Sequence, residues 1–295
     1  MTDILNEITA RRLRDIEAKT VTLAELKSRH RDRDDIRPFR RAIQVQNAKS
    51  KVQSAKCRTE NHFELCTLNS ELKKAAIIAE IKRGSPAKGL FAPHLDPAEC
   101  AKDYERGGAA CLSVLTEPHW FFGATEDLIA ARSACALPVL QKDFIVTEYQ
   151  VFEAAVYADC MLLIARCLER RQLIDLHGLA TELGLEVLVE VFDEEDIDKI
   201  EGTGAITPLH VPLIGVNHRN LRTMRMDFER SQELVSRFAS DQTIVAASGI
   251  RTRRDIEHLM RTGFHAFLVG ESLSTSSNRV EWLRQLVQGG EHAEH

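Results

Sequence analysis

Eight short apolar runs, spaced along residues 75–269, constrain the fold of this chain more than any other feature. Their starts lie 23 to 36 residues apart, the length of one strand, one crossover helix and two loops. The runs are residues 75–81, 111–115, 137–141, 161–165, 186–191, 213–216, 243–247 and 266–269. Because they are apolar on both faces, as buried parallel strands must be, the pattern predicts strands that alternate with helices.

The segments between the runs carry the signals of helix ends. Helix starts are indicated at Asp96 and Thr252, and helix stops at Gly184 and Gly263. Eight strand-plus-helix units predict an α/β fold, a closed (β/α)8 TIM barrel over residues 71–290. An N-terminal helical extension and linker (1–70) precedes it, and a polar tail (291–295) follows. A doubly wound open sheet is the alternative, disfavoured because no G-x-G-x-x-G follows the first run.

The N-terminal segment differs from the rest of the chain in charge. Between Arg11 and Arg58 there are 15 Lys or Arg and 6 Asp or Glu, a net charge of +9, so the remainder is acidic. Apolar spacing predicts two amphipathic helices within residues 1–45, with Ile4, Ile8 and Leu13 on one face of the first. Pro38 is expected to end this region, and residues 46–74 are expected to be an extended linker or loop. We expect the basic segment to lie against the acidic body. RNA or anion binding is a second interpretation, less favoured than a solvated helix face.

Composition excludes several classes of protein. The net charge of −5 provides no reason to expect nucleic acid as a partner. No apolar run approaches the ~20 residues of a membrane span, so we expect no membrane partner and a cytoplasmic location. None of the seven cysteines stands in C-x-x-C spacing, which predicts reduced, mostly buried thiols and no metal site. The oligomeric state is open, with a monomer as the working assumption.

Polar side chains gather where the predicted strands end. They are Glu80, Lys82, Lys142, Glu190, Asn217 and Arg219. The active site of a (β/α)8 barrel lies at this end of the strands, and residues two apart, such as Glu80 and Lys82, point the same way. Taken singly, Glu80 and Lys82 could form a structural ion pair and Lys142 could reach solvent. Glu190 ends an apolar run and therefore needs a cationic partner or a raised pKa.

The last two strands are followed by turns of small residues. Ser248-Gly249 follows the seventh run and Gly270-Glu271 the eighth. Small residues let backbone N–H groups approach a ligand, and the loops after strands 7 and 8 are a common phosphate site in such barrels. Together the two turns predict a phosphorylated small molecule as the ligand.

Five motifs resemble those of the indole-3-glycerol phosphate synthase family. They are E-I-K-R-G-S-P at 80–86, S-V-L-T-E at 113–117, V-L-Q-K-D-F at 139–144, L-E-V-L-V-E at 185–190 and N-H-R-N-L at 217–221. The similarity runs from about residue 75 to 273. The resemblance implies ring closure of 1-(2-carboxyphenylamino)-1-deoxyribulose 5-phosphate to indole-3-glycerol phosphate, with loss of carbon dioxide and water and with no cofactor or metal.

The resemblance also implies roles for individual residues. Lys142 is expected to be the general acid on the ketone oxygen, and Glu190 the acid/base group of the later dehydration. Lys82 is expected to supply positive charge, Glu80 to hold the lysines, and Asn217 to bind the reacting hydroxyls. The expected binding residues are Ser85 and Arg219 for the carboxylate end, Phe121 and Phe144 for the ring, and Ser248, Gly249, Gly270 and Glu271 for the phosphate.

Two departures from the family pattern bear on the site. Ala247 stands where the family usually has a glutamate, and Phe122 replaces a polar residue before Gly123. Two alternatives therefore stay open: another phosphosugar barrel enzyme such as a phosphoribosylanthranilate isomerase, and a non-catalytic phosphosugar-binding barrel derived from the family. The first has no reason to keep Lys82, Lys142 and Glu190 together. The second is favoured by Ala247.

Overall fold

Eight parallel strands close into a barrel. The computed structural model describes residues 4–56, 74–201, 211–219 and 227–288, and for 49–56 it describes the backbone alone. The strands are β1 (Ala76–Ile81), β2 (Cys111–Leu115), β3 (Val139–Lys142), β4 (Cys160–Ile164), β5 (Glu186–Val191), β6 (Leu213–Asn217), β7 (Thr243–Ala247) and β8 (Ala266–Val269). Each pairs with the next, and β8 pairs with β1 in the register Ala76 to Ala266. The predicted (β/α)8 fold is confirmed, with one strand in each predicted run.

Helices follow the strands and cover the outside of the barrel. They are α4 (Pro97–Gly107), α5 (Thr125–Ala134), α6 (Glu148–Tyr157), α7 (Arg170–Glu182), α8 (Glu194–Glu201), α9 (Phe228–Val235), α10 (Arg253–Arg261), the short α11 (Glu271–Ser274) and α12 (Arg279–Gln288). The predicted starts are confirmed, since side chains of Asp96 and Thr252 accept bonds from the first-turn amides of α4 and α10. Among these described helices, none is long and apolar enough to cross a membrane.

Alternation along the strands separates two apolar layers. Outward residues such as Ile77 and Leu112 pack beneath the helices. Inward residues such as Ile78, Leu140 and Leu162 form a second cluster inside the barrel. The inward positions at the amino ends of the strands are mainly apolar; Glu186 at the start of β5 is an exception, and its carboxylate accepts a hydrogen bond from the backbone N–H of Arg40 at 2.8 Å. Most charged inward side chains lie at the carboxyl ends. The barrel thus has one charged end, which we call the mouth, and one mainly apolar end, which we call the floor.

Three helices precede the barrel: α1 (Ile4–Glu17), α2 (Leu23–Arg31) and α3 (Phe39–Lys56). The two predicted helices are confirmed, but the extended linker expected from residue 46 is wrong up to residue 56. Pro38 does not end the helical region; its carbonyl accepts a bond from Ala42 at the start of α3. Proline lacks an N–H but fits the entry to a helix, where that group has no partner. Residues 57–73, and with them the predicted boundary near residue 70, lie outside the described residues, as do the tail and the later boundary at 290.

The buried stripe of α1 consists of Leu5, Ile8 and Arg12, whereas Leu13 is 43% exposed. The predicted face was thus wrong at Leu13, because the helix turns a charged residue inward to meet a carboxylate of the barrel. The expected contact with an acidic body is confirmed by four ion pairs between the described residues: Arg12 with Asp143, Lys19 with Glu153, Lys27 with Glu148 and Arg33 with Asp159.

Four of the described cysteines, Cys100, Cys111, Cys135 and Cys160, are free thiols. Cys100, Cys111 and Cys160 are buried, and Cys135 and Cys167 are partly buried. Burial raises the pKa of Cys100 to about 11, so its thiol stays protonated at neutral pH. The expectation of mostly buried thiols holds for these five; Cys57 and Cys66 lie outside the described residues.

Candidate active site

A cavity of about 520 Å³ opens at the mouth of the barrel. The thirteen residues predicted from the sequence all line it: Glu80, Lys82, Ser85, Phe121, Lys142, Phe144, Glu190, Asn217, Arg219, Ser248, Gly249, Gly270 and Glu271. They come from strand ends and loops spread over nearly 200 residues of sequence. Parallel strands of a closed barrel end at one rim, which is why residues so distant in sequence meet here.

Glu80 lies between two ammonium groups. Its Oε1 is 2.7 Å from Nζ of Lys82, and its Oε2 is 3.7 Å from Nζ of Lys142. Burial alone would raise the pKa of Glu80, but the charges of Lys82 and Lys142 outweigh burial and lower it. The carboxylate is therefore ionised and can hold both lysines in place.

The pKa values of Lys142 and Glu190 are shifted in directions that suit proton transfer. Burial would lower the pKa of Lys142, but the charges of Glu80 and Glu190 raise it, so the ammonium form is favoured. Burial raises the pKa of Glu190, and the charge of Lys142 offsets this only in part. The site thus holds a proton donor next to a carboxyl group whose affinity for protons exceeds that of an exposed glutamate.

Asn217 orients Glu190 and the following turn. Its Nδ2 donates to Oε1 of Glu190 at 3.1 Å, and its Oδ1 accepts from the backbone N–H of Arg219 at 2.9 Å. The amide is thus held from both sides in one orientation. Ala247 is the β7 neighbour of Asn217 in the strand register, and it lines the cavity without a carboxylate.

The turns after β7 and β8 have backbone conformations and close contacts that only small residues allow. Ser248 and Gly249 both have positive φ, 70° and 77°, a left-handed conformation that favours glycine. A Cβ atom at Gly270 would lie 2.1 Å from Oε1 of Glu80, so only glycine fits beside that carboxylate. Glu271 pairs with Lys88 at 2.6 Å, which draws the loop after β1 toward the last turn.

Two aromatic rings form the apolar side of the cavity. The centroids of Phe121 and Phe144 lie 6.2 Å apart. The Phe121 backbone is fixed by Glu117, a buried carboxylate that accepts from the N–H groups of His119, Trp120 and Phe121. A flat apolar ligand group can lie beside these rings while its charged groups meet the lysines.

Sequence reasoning missed the contribution of α1. Ile4, Leu5 and Ile8 line the cavity, and Arg12 donates two bonds to Asp143, at 2.9 and 2.7 Å. The spacing of the apolar residues predicts that α1 has one buried face. The sequence of the helix does not indicate which surface of the barrel that face covers.

Asp143 is held by other groups as well as by Arg12. Thr116 Oγ1 and the Phe144 backbone N–H donate to it, at 2.6 and 2.8 Å. Further lining residues that the sequence did not single out for the site include Pro86, Ala87, Arg251, Thr275 and Trp282. Within the described residues, no group of three or more His, Cys, Asp or Glu side chains is arranged to hold a metal ion.

Fold and site together define a (β/α)8-barrel protein whose charged cavity lies at the carboxyl ends of its strands, the arrangement typical of barrel enzymes. The family model for indole-3-glycerol phosphate synthase matches residues 30–286. The indole-3-glycerol phosphate synthase of Desulfosudis oleivorans is 42% identical over 290 residues, 97% of this chain and 99% of that protein. The chain belongs to the indole-3-glycerol phosphate synthase family, and the family prediction is confirmed.

Solved structures share the fold at low identity. The 3-hexulose-6-phosphate synthase of Salmonella typhimurium matches with a TM-score of 0.55 at 11% identity, covering 72% of this chain and 97% of that one. Thiamine phosphate pyrophosphorylase from Pyrococcus furiosus matches with a TM-score of 0.52 at 16% identity, covering 74% and 96%. At these identities the likeness extends to the barrel alone.

Proposed function

We propose that this protein catalyses the ring closure of 1-(2-carboxyphenylamino)-1-deoxyribulose 5-phosphate to indole-3-glycerol phosphate, as a carbon–carbon lyase that releases carbon dioxide and water. The aromatic carbon that bears the carboxylate attacks the ketone carbon, and a proton passes to the ketone oxygen. Loss of carbon dioxide returns an electron pair to the ring, and loss of water completes the indole. The chemistry requires a positioned acid and a charged site from which bulk water is excluded.

Lys142 is the general acid of the first step. The support is its raised pKa and its position between Glu80 and Glu190, which keep it protonated until the ketone oxygen needs the proton. As the oxygen takes up charge, the same ammonium group stabilises it electrostatically. A general acid of this kind contributes about 10²- to 10⁴-fold to the rate.

Glu190 and Lys82 act in the dehydration. Glu190 has the raised pKa of a buried carboxyl group and can exchange a proton with the intermediate. Lys82 gives a proton to the departing hydroxyl while Glu80 holds its ammonium group at 2.7 Å. Asn217 binds the reacting hydroxyl and keeps Glu190 oriented through their 3.1 Å bond.

The two ends of the substrate are bound by different parts of the cavity. The phosphate lies against the turns of Ser248-Gly249 and Gly270-Glu271, and the ring lies beside Phe121 and Phe144. Ser85 and Arg219 meet the carboxylate. In the cell we place this activity in the cytoplasm, supported by the thiols of Cys100, Cys111, Cys135 and Cys160, which form no disulfide.

The observation that carries the proposal is the meeting of Lys82, Lys142 and Glu190 around one cavity. The purified protein, given the carboxyphenylamino substrate, should develop indole fluorescence. Lys142→Ala should abolish that signal while leaving the far-ultraviolet circular dichroism unchanged. Binding of the substrate by the wild-type protein without any turnover would favour the non-catalytic alternative that Ala247 suggests. Turnover of phosphoribosylanthranilate in its place would favour the isomerase.

A further inference from the structure

Phe122 has a conformation that its residue type disfavours. It is one of two non-glycine residues with positive φ in the described chain, at 58°, and it is 36% exposed. A bulky residue in this region is a genuine outlier, which persists only where surrounding contacts determine it. Its backbone is determined from both sides, because the N–H of Gly123 donates to the Glu117 carbonyl at 2.9 Å and Arg83 donates to the Phe122 carbonyl at 3.3 Å. The ring itself belongs to neither apolar cluster and does not line the cavity.

The conformation directs two adjacent rings to different places. Phe121 points into the cavity, 6.2 Å from Phe144. Phe122 lies on the backbone of Gly84, where an added Cβ atom would be 2.4 Å from its Cδ2 and 2.6 Å from its Cε2. Only glycine at position 84 permits this contact. The left-handed turn therefore places one ring in the site and the next on the loop after β1.

That loop is a small hairpin that covers one side of the cavity. Gly84–Ser85 pairs antiparallel with Gly89–Leu90. The hairpin carries Ser85, Pro86, Ala87 and Lys88, which all line the cavity. Its position therefore decides where these side chains stand relative to a bound molecule.

Three attachments hold the hairpin. At its base Arg83 donates to Asp127 at 2.9 Å and to the Phe122 carbonyl at 3.3 Å. At its tip Lys88 pairs with Glu271, but both side chains are substantially exposed, and such pairs contribute little. Between base and tip the contact is the Phe122 ring on Gly84, which removes apolar surface from water and is not screened by salt.

We propose that Phe122 is a positioning residue whose ring holds the hairpin across the cavity, so that Ser85 and Lys88 meet the anionic groups of the substrate. The part that concerns the substrate rests on the proposed function, whereas the contact between ring and hairpin does not. Phe122 touches no reacting atom in this scheme and acts only through the hairpin.

Limited proteolysis tests the contact without reference to catalysis. Trypsin can cut after Lys88 only when the hairpin opens. Phe122→Gly removes the ring yet keeps the positive φ without strain, and Phe122→Tyr keeps the ring. We expect cleavage after Lys88 to become roughly three- to tenfold faster in Phe122→Gly, relative to cleavage sites in the barrel, and to stay at the wild-type rate in Phe122→Tyr. Equal rates in Phe122→Gly and wild type would overturn the proposal.

Steady-state kinetics separate positioning from a purely structural role. In Phe122→Gly the KM for the carboxyphenylamino substrate should rise roughly three- to tenfold while kcat stays near the wild-type value, and Phe122→Tyr should restore the KM. An unchanged KM in a protein whose hairpin is cleaved faster would refute the positioning role. If the wild-type protein does not turn over this substrate, the proposed function fails, and the proteolysis still decides whether the ring holds the hairpin.

Discussion

Two helices of the same N-terminal segment cover opposite ends of the barrel by different means. At the floor, α3 inserts Phe39 and Ile43, both fully buried, into the apolar cluster inside the barrel. At the mouth, α1 adds Leu5 and Ile8 to the same cluster but also buries Arg12 against Asp143. At the floor the buried residues of the helix are apolar, and charged contacts such as Arg33 with Asp159 come from the segment that precedes it. At the mouth the helix itself buries a guanidinium group.

The two kinds of contact have different consequences for stability and for geometry. Apolar burial is the stronger source of stability and has no preferred direction, which suits a plug. A buried ion pair adds little net stability, because desolvation costs about as much as the attraction returns, but its geometry is specific. The Arg12 pair fixes Asp143, the residue between Lys142 and Phe144 in the chain. At the mouth the ion pair therefore contributes little to stability, but it fixes the positions of groups around an open cavity.

The largest expected effect is at the mouth and concerns catalysis alone. Lys142→Ala should lower kcat by about 10²- to 10⁴-fold, because the general acid is lost. The midpoint of thermal unfolding should change little, since Glu80 keeps Lys82 as a partner and the buried Glu190, whose pKa is already raised, takes up a proton once the charge of Lys142 is gone. Activity within tenfold of wild type would contradict the assignment of Lys142 as the acid.

The floor should show the opposite behaviour. Phe39→Ala leaves a cavity in the apolar cluster and should cost about 3–5 kcal/mol in the free energy of unfolding by urea. The kcat/KM of the folded fraction should be unchanged, because Phe39 lies at the far end from the site. Val45→Ala is the matched control: Val45 is on the same helix but 43% exposed, and its loss should cost less than about 0.5 kcal/mol. A fall in kcat/KM with Phe39→Ala would contradict the prediction that the floor affects stability without affecting activity.

Arg12→Met should affect both stability and activity. It leaves the Asp143 carboxylate buried without its cation, which costs about 3 kcal/mol of unfolding free energy, at the lower end of the range because α1 can draw back and admit water. The KM should rise as Ile4, Leu5 and Ile8 leave the cavity wall. The double variant Arg12→Met, Asp143→Asn should recover much of the stability, which urea unfolding can measure. A double variant no more stable than Arg12→Met would show that the pair is not the cause.

The smallest effect concerns His218, which follows Asn217 but lies on the outer side of β6. Its ring packs against Phe228 and Phe264, with centroids 4.8 and 5.4 Å away, and burial lowers its pKa to about 4. Below the ordinary pKa of histidine the unfolded chain takes up a proton that the native chain refuses, so stability falls as the pH drops.

His218→Phe is the variant that tests this. Between pH 7 and pH 6 the wild-type protein should lose about 0.7 kcal/mol of unfolding free energy more than His218→Phe does. Urea unfolding of both proteins at the two pH values measures the difference, and every other titrating group cancels. An equal loss in both would mean that His218 takes up its proton freely in the folded state.

The strand ends could be predicted well from sequence, and the extension only in part. Glu80, Lys82, Lys142, Glu190 and Asn217 were found because a strand alternates every two residues and a closed barrel gathers all its strand ends. The third helix was missed because residues 46–56 are polar and weakly periodic. Its existence rests on Phe39 and Ile43 at its start, which the barrel floor buries.

The amino-acid pattern alone thus predicts the alternation of strands and helices, the barrel that follows from it, and the set of charged groups at one rim. Three features depend on contacts between distant segments: α1 covers the mouth, Arg12 meets a carboxylate 131 positions away, and Phe122 packs its ring on Gly84. Local periodicity predicts which face of a helix or strand is buried. The carboxyl ends of all strands in a closed parallel barrel lie at one rim, so the residues at these ends meet. The surface against which a helix packs depends on the free energy of its contacts with segments that are distant in sequence. The periodicity of the helix alone therefore does not predict that surface.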